Sequence, residues 1–294
     1  MNAAARYGSL WLRSTPALFV FLWSTGFVGA KLGLPHAEPA TFLSLRFVLV
    51  IALMLPLALA LRAPWPGSPR QALHLAVAGM LVHGGYLMGV FTAIHNGMSA
   101  GLAALIVGLQ PILTGLAAAP MLGERVTTRQ WVGLALGIAG VALVVMQKAT
   151  VAGLTLFALA AAIVALLSIT LGTLYQKRWC GHFDLRTGSV TQFAAALALL
   201  ARLALAFEHR PVAWTGEFVF ALAWLVIVLS IAAISLLAVL IRRGEATKMA
   251  SLFYLTPAVT AILAYLAFGE SLTPLAILGM AVSVVGVAMV TRSR

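Results

Sequence analysis

The chain has 294 residues, of which 62% are hydrophobic and only 9% are charged, and its mean hydropathy is +1.05. Globular domains are about 45–50% apolar and about 25% charged, so this composition excludes a soluble domain, a disordered chain and a disulfide scaffold, and indicates a polytopic membrane protein. The net charge of +12 comes from basic residues that stand singly or in pairs between apolar runs, which is typical of topology signals and argues against a nucleic-acid partner.

Apolar runs long enough to cross a membrane recur along the whole chain, since a transmembrane helix needs roughly 20 mostly apolar residues. The runs do not alternate as β-barrel strands would. Arg6 and Arg13 before the first run resemble the start of a signal peptide, but no small-residue cleavage site follows, so this run is kept as the first span. The sequence predicts ten transmembrane helices, at about 15–34, 41–61, 71–95, 99–122, 128–147, 152–176, 187–207, 215–241, 246–268 and 273–291.

The basic residues orient these spans. With the N-terminus in the cytoplasm, fourteen of the 19 Lys and Arg residues lie on the inner side and three, Lys31, Lys148 and Arg210, on the outer side. Arg46 and Arg202 lie inside spans. Because basic loops stay in the cytoplasm, both termini are predicted to be cytoplasmic.

A repeat is the most specific feature of the sequence. Shifting residues by 146 positions superposes Pro111 on Pro257, Gly123–Glu124 on Gly269–Glu270, Gly140 on Gly286 and Lys31 on Lys177. Only the connector after the second helix of each half needs a small gap. The recurrence of a Pro–x11–Gly–Glu pattern at one offset, together with the Lys match, argues against chance similarity of apolar runs.

The repeat divides the chain into two five-helix halves, residues 1–147 and 148–294. Because five is odd, the second half enters the membrane upside down. Inverted repeats of this kind support alternating access around a site near the midplane, so the sequence predicts a transporter.

The motifs also resemble a known family. FLWSTGFVGAK in the first span, GLQP and YLTP in the fourth and ninth, and GE before a Gly-rich last helix in each half resemble EamA-type carriers of the drug/metabolite transporter superfamily. The resemblance extends from about residue 16 to 292 and includes the YddG-type exporters of aromatic and other amino acids. It implies a ten-helix, two-repeat fold with cytoplasmic termini and export of small metabolites, most of all amino acids.

Polar and aromatic residues at midplane depth are the candidates for substrate binding, because such groups are costly in a membrane and default to functional hypotheses. We expect a central cavity to be lined by Trp23, His83, Tyr86, Gln110, Ser168, Tyr175, Gln192 and Tyr254. Pro111 and Pro257 are predicted to kink their helices at matching depths and to take part in gating. The alternative for each is packing: the prolines can simply shape the bundle, and the aromatic residues can fill space between helices.

The acidic residues limit the mechanism, since all seven fall at or near predicted helix ends. Exchange of protons for cationic drugs usually needs a buried carboxylate, so we expect a facilitator or exchanger of neutral or zwitterionic solutes. No zinc motif, aspartate pair or Ser/His constellation is readable, so neither an enzyme nor a cofactor is expected. The expected partners are a small-molecule substrate and the lipid bilayer, and a monomer is plausible. A flippase for an amphipathic or lipid-linked solute, and a channel, remain alternatives.

Overall fold

The computed structural model describes residues 3–121, 127–151, 154–233, 236 and 255–291, which form helices joined by short loops. No strand occurs in these ranges. In chain order the helices are α1 (Ala3–Gly33), α2 (Pro39–Ala60), α3 (Pro69–His95), α4 (Ala100–Val107), α5 (Gln110–Met121), α6 (Thr128–Val151), α7 (Leu156–Cys180), α8 (Leu185–Phe207), α9 (Gly216–Ala233), α10 (Thr256–Phe268) and α11 (Pro274–Thr291).

The helices have the length and composition of membrane spans. Within the described ranges, seven helical segments are long and apolar enough to cross a membrane, and three shorter apolar helices accompany them, at Ala17–Gly33, Thr256–Phe268 and Pro274–Met289. Large apolar side chains such as Leu156 and Leu205 are more than 80% exposed, as expected where the surrounding solvent is lipid. The prediction of a multi-pass helical membrane protein is confirmed, while the count of ten spans stays a prediction.

Short polar residues fix where several helices begin. Ser68, Ser99, Thr155 and Thr215 each accept a hydrogen bond from the backbone N–H three residues later, at the starts of α3, α4, α7 and α9. Such caps satisfy N–H groups that have no partner within the helix. Ser68 and Thr215 each precede the third helix of their half and lie 147 positions apart. This separation exceeds the repeat offset of 146 by one residue, because the preceding connector contains the gap noted above.

Helices α6 and α11 meet through residues that correspond in the two halves. Gly140 packs against Gly279, and Gly286 packs against Gly133, which is the same contact after a shift of 146 residues. A β-carbon on Gly286 would lie 2.5 Å from the Gly133 carbonyl oxygen, so only glycine permits this approach. The earlier glycine of α6 contacts the later glycine of α11, and the later glycine of α6 contacts the earlier glycine of α11. The two helices are therefore antiparallel and are related by a pseudo-two-fold axis.

The remaining helices of the two halves interleave around one centre. Helix α1 packs against α9 and α10, α2 packs against α8, and α3 packs against α7 and α8. The largest fully buried side chains are phenylalanines from both halves: Phe19, Phe42, Phe47, Phe91, Phe193 and Phe218. The main core of the described residues therefore contains side chains from both halves.

Helix breaks and wide turns occur near this centre. Residues 108–109 separate α4 from α5 just before Pro111, and α10 begins at Thr256, next to Pro257. Helix α3 contains a π-helical segment, Met80–Gly85, and α9 contains another, Leu225–Ala233. A shift of 147 residues places the first segment within the second.

Candidate functional site

A cavity lies at the junction of the two halves, bounded by α1, α2 and α3 on one side and by α7, α8 and α9 on the other. About 660 Å³ of space between the lining atoms is free of protein, and part of it is open to solvent. Most of the wall is apolar. The lining residues are Trp23, Gly26, Phe27, Arg46, Val82, His83, Tyr86, Leu87, Val90, Phe91, Ile169, Phe193 and Leu229.

Both π-helical segments border this cavity, through His83 on α3 and Leu229 on α9. A π turn inserts one extra residue into a helix and is frequent at functional sites. His83 lies in the α3 segment and Tyr86 directly follows it, and both side chains reach the cavity. Sequence periodicity carried no sign of these segments, because an inserted residue looks like ordinary irregularity in an apolar run.

Arg46 is the one lysine or arginine among the lining residues, and it was not among the predicted site residues. Its side chain is buried, with 7% of the residue exposed, and its Nε and one terminal nitrogen donate to Ser230 Oγ at 3.2 and 3.0 Å. Ser230 is 1% exposed and donates in turn to the Leu225 carbonyl at 3.1 Å. A basic residue inside a predicted span was the available signal in the sequence, but its partner Ser230 lies 184 residues away in the other half.

His83 is held by aromatic neighbours. Its ring stacks on Phe193 with the centroids 4.2 Å apart, and it meets the edge of Phe47 at 6.3 Å. The Gln192 amide lies within hydrogen-bonding reach of the imidazole. This arrangement leaves the ring in the cavity wall with a fixed orientation, beside Tyr86.

The acidic residues of the described ranges all lie at helix ends, as the sequence indicated. Glu208 accepts hydrogen bonds from the backbone N–H of Ala40 and Thr41 and from the Thr41 hydroxyl, each at 2.7 Å. Glu270 pairs with Lys31 and accepts from the Ala100 N–H at 3.1 Å.

The other three acidic residues of these ranges also have partners. Glu38 accepts from the Arg210 N–H at 2.8 Å, and Glu217 lies 3.2 Å from His36 Nε2. Asp184 caps α8, and its hydrogen bonds from Arg186 lower the pKa of the carboxyl to about 2. Glu124 and Glu245 lie outside the described residues. Among the described acidic residues, therefore, none supplies a carboxylate to the cavity.

Three of the predicted substrate-binding residues, Trp23, His83 and Tyr86, line the cavity together. Gln192 lies just behind the wall, 5% exposed, with its amide directed to the Gln176 side-chain oxygen at 3.4 Å. Tyr254 lies outside the described residues.

Gln110, Ser168 and Tyr175 are not among the lining residues of this cavity, and their part in substrate binding stays a prediction. Gln110 donates to Thr173 Oγ1 at 3.4 Å, and Tyr175 bonds His74 Nδ1 at 2.7 Å. Ser168 packs against Gly85. The polar stripe of α7 thus packs along α3, because small and hydrogen-bonding side chains serve helix contacts as readily as cavities.

The two prolines occupy corresponding positions at the starts of two helices. Pro111 stands in the first turn of α5, and Pro257 stands in the first turn of α10, buried against Gly108. Both prolines therefore coincide with helix starts, where the missing N–H costs nothing. Their part in gating stays a prediction.

Comparison with known proteins places this chain in a family. The sequence profile of the EamA-like transporter family matches residues 8–146 and again residues 156–292. A probable amino-acid metabolite efflux pump of Escherichia coli (strain K12) is 26% identical over 92% of this chain and 91% of its own length.

Two further proteins are similar over nearly their full length. A probable terminal-alkyne amino-acid exporter of Streptantibioticus cattleyicolor is 27% identical over 94% of this chain and 91% of its own. A solved crystal structure superposes with a TM-score of 0.64 at 23% identity and covers 94% of both chains. The latter likeness shows the fold alone.

Proposed function

Because this chain belongs to the EamA-like transporter family, we propose that it is a secondary transporter that exports amino acids by alternating access. The family membership makes it an EamA-type carrier of the drug/metabolite transporter superfamily, embedded in a membrane and acting on a small molecule. Amino acids are proposed because relatives at 26–27% identity are named as an amino-acid metabolite efflux pump and an amino-acid exporter.

The cavity between the halves is the observation that carries this proposal. Its walls come from α1, α2 and α3 of the first half and from α7, α8 and α9 of the second. A site at the junction of two repeats can be opened to either side by rocking one half against the other. Apolar walls with a few polar groups suit an amphipathic small solute.

The proposed topology has ten spans, with halves 1–147 and 148–294 inverted in a bacterial inner membrane and both termini in the cytoplasm. The antiparallel contact between α6 and α11 supports the inversion, since the contact of Gly140 with Gly279 recurs between their counterparts, Gly286 and Gly133. The excess of basic residues on the predicted inner side supports the orientation.

Counterflow in proteoliposomes tests the function. Vesicles preloaded with unlabelled leucine or phenylalanine should take up the labelled amino acid faster than empty vesicles, and the rate should saturate. A carrier shows this trans-stimulation because the loaded site returns faster than the empty one, whereas a channel shows none. Uptake that is independent of preloading would replace the carrier with a channel, and uptake equal to protein-free vesicles for all twenty amino acids would remove the amino-acid assignment.

A further inference from the structure

The cavity wall contains a cation whose charge is not balanced by the described part of the chain. Arg46 is buried beside the cavity, and its hydrogen-bond acceptor is the hydroxyl of Ser230. All five acidic residues of the described ranges have partners at helix ends. A buried charge without a counter-charge is destabilising, so an anion bound at Arg46 would stabilise this part of the structure.

The geometry leaves part of the guanidinium free to bind an anion. A guanidinium carries five N–H donors in a planar fork, and the donors of Nε and one terminal nitrogen share Ser230 Oγ. The other terminal nitrogen has no hydrogen bond to the described residues. Ser230 fixes the plane of the fork, since its own proton is directed to the Leu225 carbonyl.

The surroundings of Arg46 favour a carboxylate that is attached to an apolar body. Phe27, Phe91 and Trp23 line the same cavity, and such walls cannot solvate a small hydrated anion. None of the described acidic residues lines the cavity, so the ammonium group of a bound solute would have no carboxylate partner among them. Among the described lining residues, an amine would face aromatic rings, His83 and Tyr86 instead of a carboxylate.

We propose that Arg46, positioned by Ser230, binds the carboxylate of the transported solute, and that the amino group is not required for recognition. The inference rests on the proposed function and narrows its substrate class to monocarboxylates with an apolar body. Amino acids are accepted through their carboxylate, N-acylated amino acids are accepted equally, and amino-acid amides and amines are rejected.

Binding to the purified protein tests this without relying on transport. The probes are N-acetyl-phenylalanine, phenylalanine, phenylalaninamide and phenethylamine, and the readout is ligand-induced thermal stabilisation in detergent. We expect the first two to raise the melting temperature and the last two to leave it unchanged. Stabilisation by the amide or the amine equal to that by phenylalanine would overturn the carboxylate assignment.

Variants separate a binding role from a structural one. Arg46→Gln should weaken binding of N-acetyl-phenylalanine at least about tenfold, because a charge-assisted hydrogen bond contributes about 1.5–3 kcal/mol. Arg46→Lys, which keeps the charge without the fork, should recover part of the affinity, and Ser230→Ala should weaken binding less than Arg46→Gln. Arg202→Gln is the matched control, because Arg202 is an exposed cation on α8.

A second control addresses Glu245, which lies outside the described residues. If Glu245 balanced Arg46, Glu245→Gln would destabilise the protein and Arg46→Gln in that background would restore it, and this outcome would overturn the proposal. Unchanged affinity for N-acetyl-phenylalanine in a folded Arg46→Gln protein would also overturn it. A different result tests the proposed function. If the carboxylates bind through Arg46 but no amino acid shows counterflow, the assignment of amino acids as substrates is wrong and the role of Arg46 stands.

Discussion

Ser283 on α11 donates a hydrogen bond to the backbone carbonyl of Gly137 on α6, at 3.0 Å, and the two residues are counterparts that lie 146 positions apart. A contact between counterparts lies on the pseudo-two-fold axis that relates the halves. The close packing of Gly140 on Gly279 and of Gly286 on Gly133 flanks it on either side.

The symmetry of this contact makes a prediction for stability. Gly140→Ala and Gly286→Ala should each lower the melting temperature, and by similar amounts, because each added β-carbon meets backbone of the other helix and overpacking costs about 1–3 kcal/mol. Gly216→Ala is the control, since nothing lies within 4 Å of a β-carbon at Gly216. Fluorescence-detected thermal melts in detergent measure all three. Equal melting temperatures for Gly140→Ala and Gly216→Ala would contradict the close contact.

The pair of Lys31 and Glu270 makes a prediction for transport. Lys31 lies in the last turn of α1. Glu270 follows α10 and also accepts a hydrogen bond from the first N–H of α4. The pair therefore joins the two halves at one end of the molecule. The counterparts are Lys177 and Glu124. We expect Lys31→Glu to reduce the counterflow rate several-fold, and Lys31→Glu with Glu270→Lys to recover part of it, because the paired reversal restores the attraction.

The control for this pair is Arg210→Gln, which removes a basic side chain near the same end while the Arg210 N–H keeps its bond to Glu38. Its counterflow rate should stay close to that of the natural chain. Lys31→Glu and Glu270→Lys each slow counterflow by a measured factor. If the double variant is slowed by the product of these two factors, the two residues act independently.

Asp184 makes a prediction for the dependence of stability on pH. Hydrogen bonds from Arg186 lower the pKa of the Asp184 carboxyl to about 2 in the folded protein, against about 3.9 in unfolded chains. The unfolded state therefore takes up the proton first as the pH falls. The stabilisation is present above about pH 4 and is lost as the pH falls towards 2.

Melting curves of the natural chain and Asp184→Asn measure this effect. Asparagine also caps helices well, so the variant removes mainly the charge. The natural chain should melt at the higher temperature at pH 6, and the difference should shrink as the pH falls to 3. A difference that is constant from pH 6 to pH 3 would contradict the shifted pKa.

His83 makes a prediction that separates packing from polarity. His83→Phe keeps a ring to stack on Phe193, and His83→Asn keeps a hydrogen-bonding group near Gln192. If the imidazole contacts substrate, His83→Phe should raise the substrate concentration for half-maximal counterflow several-fold with little change in melting temperature. If the ring only packs, His83→Phe should transport normally and His83→Asn should melt lower.

Much of the fold could be predicted because each signal was local. Hydropathy located the helices, and the repeated Gly–Glu and proline positions revealed the two halves. Trp23, His83 and Tyr86 were predicted to line a cavity because they are polar or aromatic residues within apolar runs, and all three do line the cavity. Pro111 and Pro257 were predicted to kink continuous helices, whereas in the structure both stand in the first turn of a helix.

The rest depended on contacts between distant segments. Arg46 was visible as a basic residue within a span, but its importance comes from Ser230 in the other half and from the aromatic side chains around it. Ser168 and Tyr175 form a polar stripe whose sequence is equally compatible with a cavity or with a neighbouring helix, and α3 turned out to be that neighbour. The π-helical turns had no sequence signal at all.

The hydrogen bonds of Glu208 have a mechanical consequence. Glu208 joins the end of α8 to the start of α2 through three hydrogen bonds of 2.7 Å, whereas the ends of α1 and α10 are joined by the Lys31–Glu270 ion pair. Glu208 holds α2 and α8 together by bonds to two backbone N–H groups, whereas the contact between α1 and α10 is a pair of two side chains that can separate without loss of a backbone bond. We expect the end of the molecule that holds Glu208 and Glu270 to open by rotation about the α2–α8 contact. In this motion the Lys31–Glu270 pair would separate.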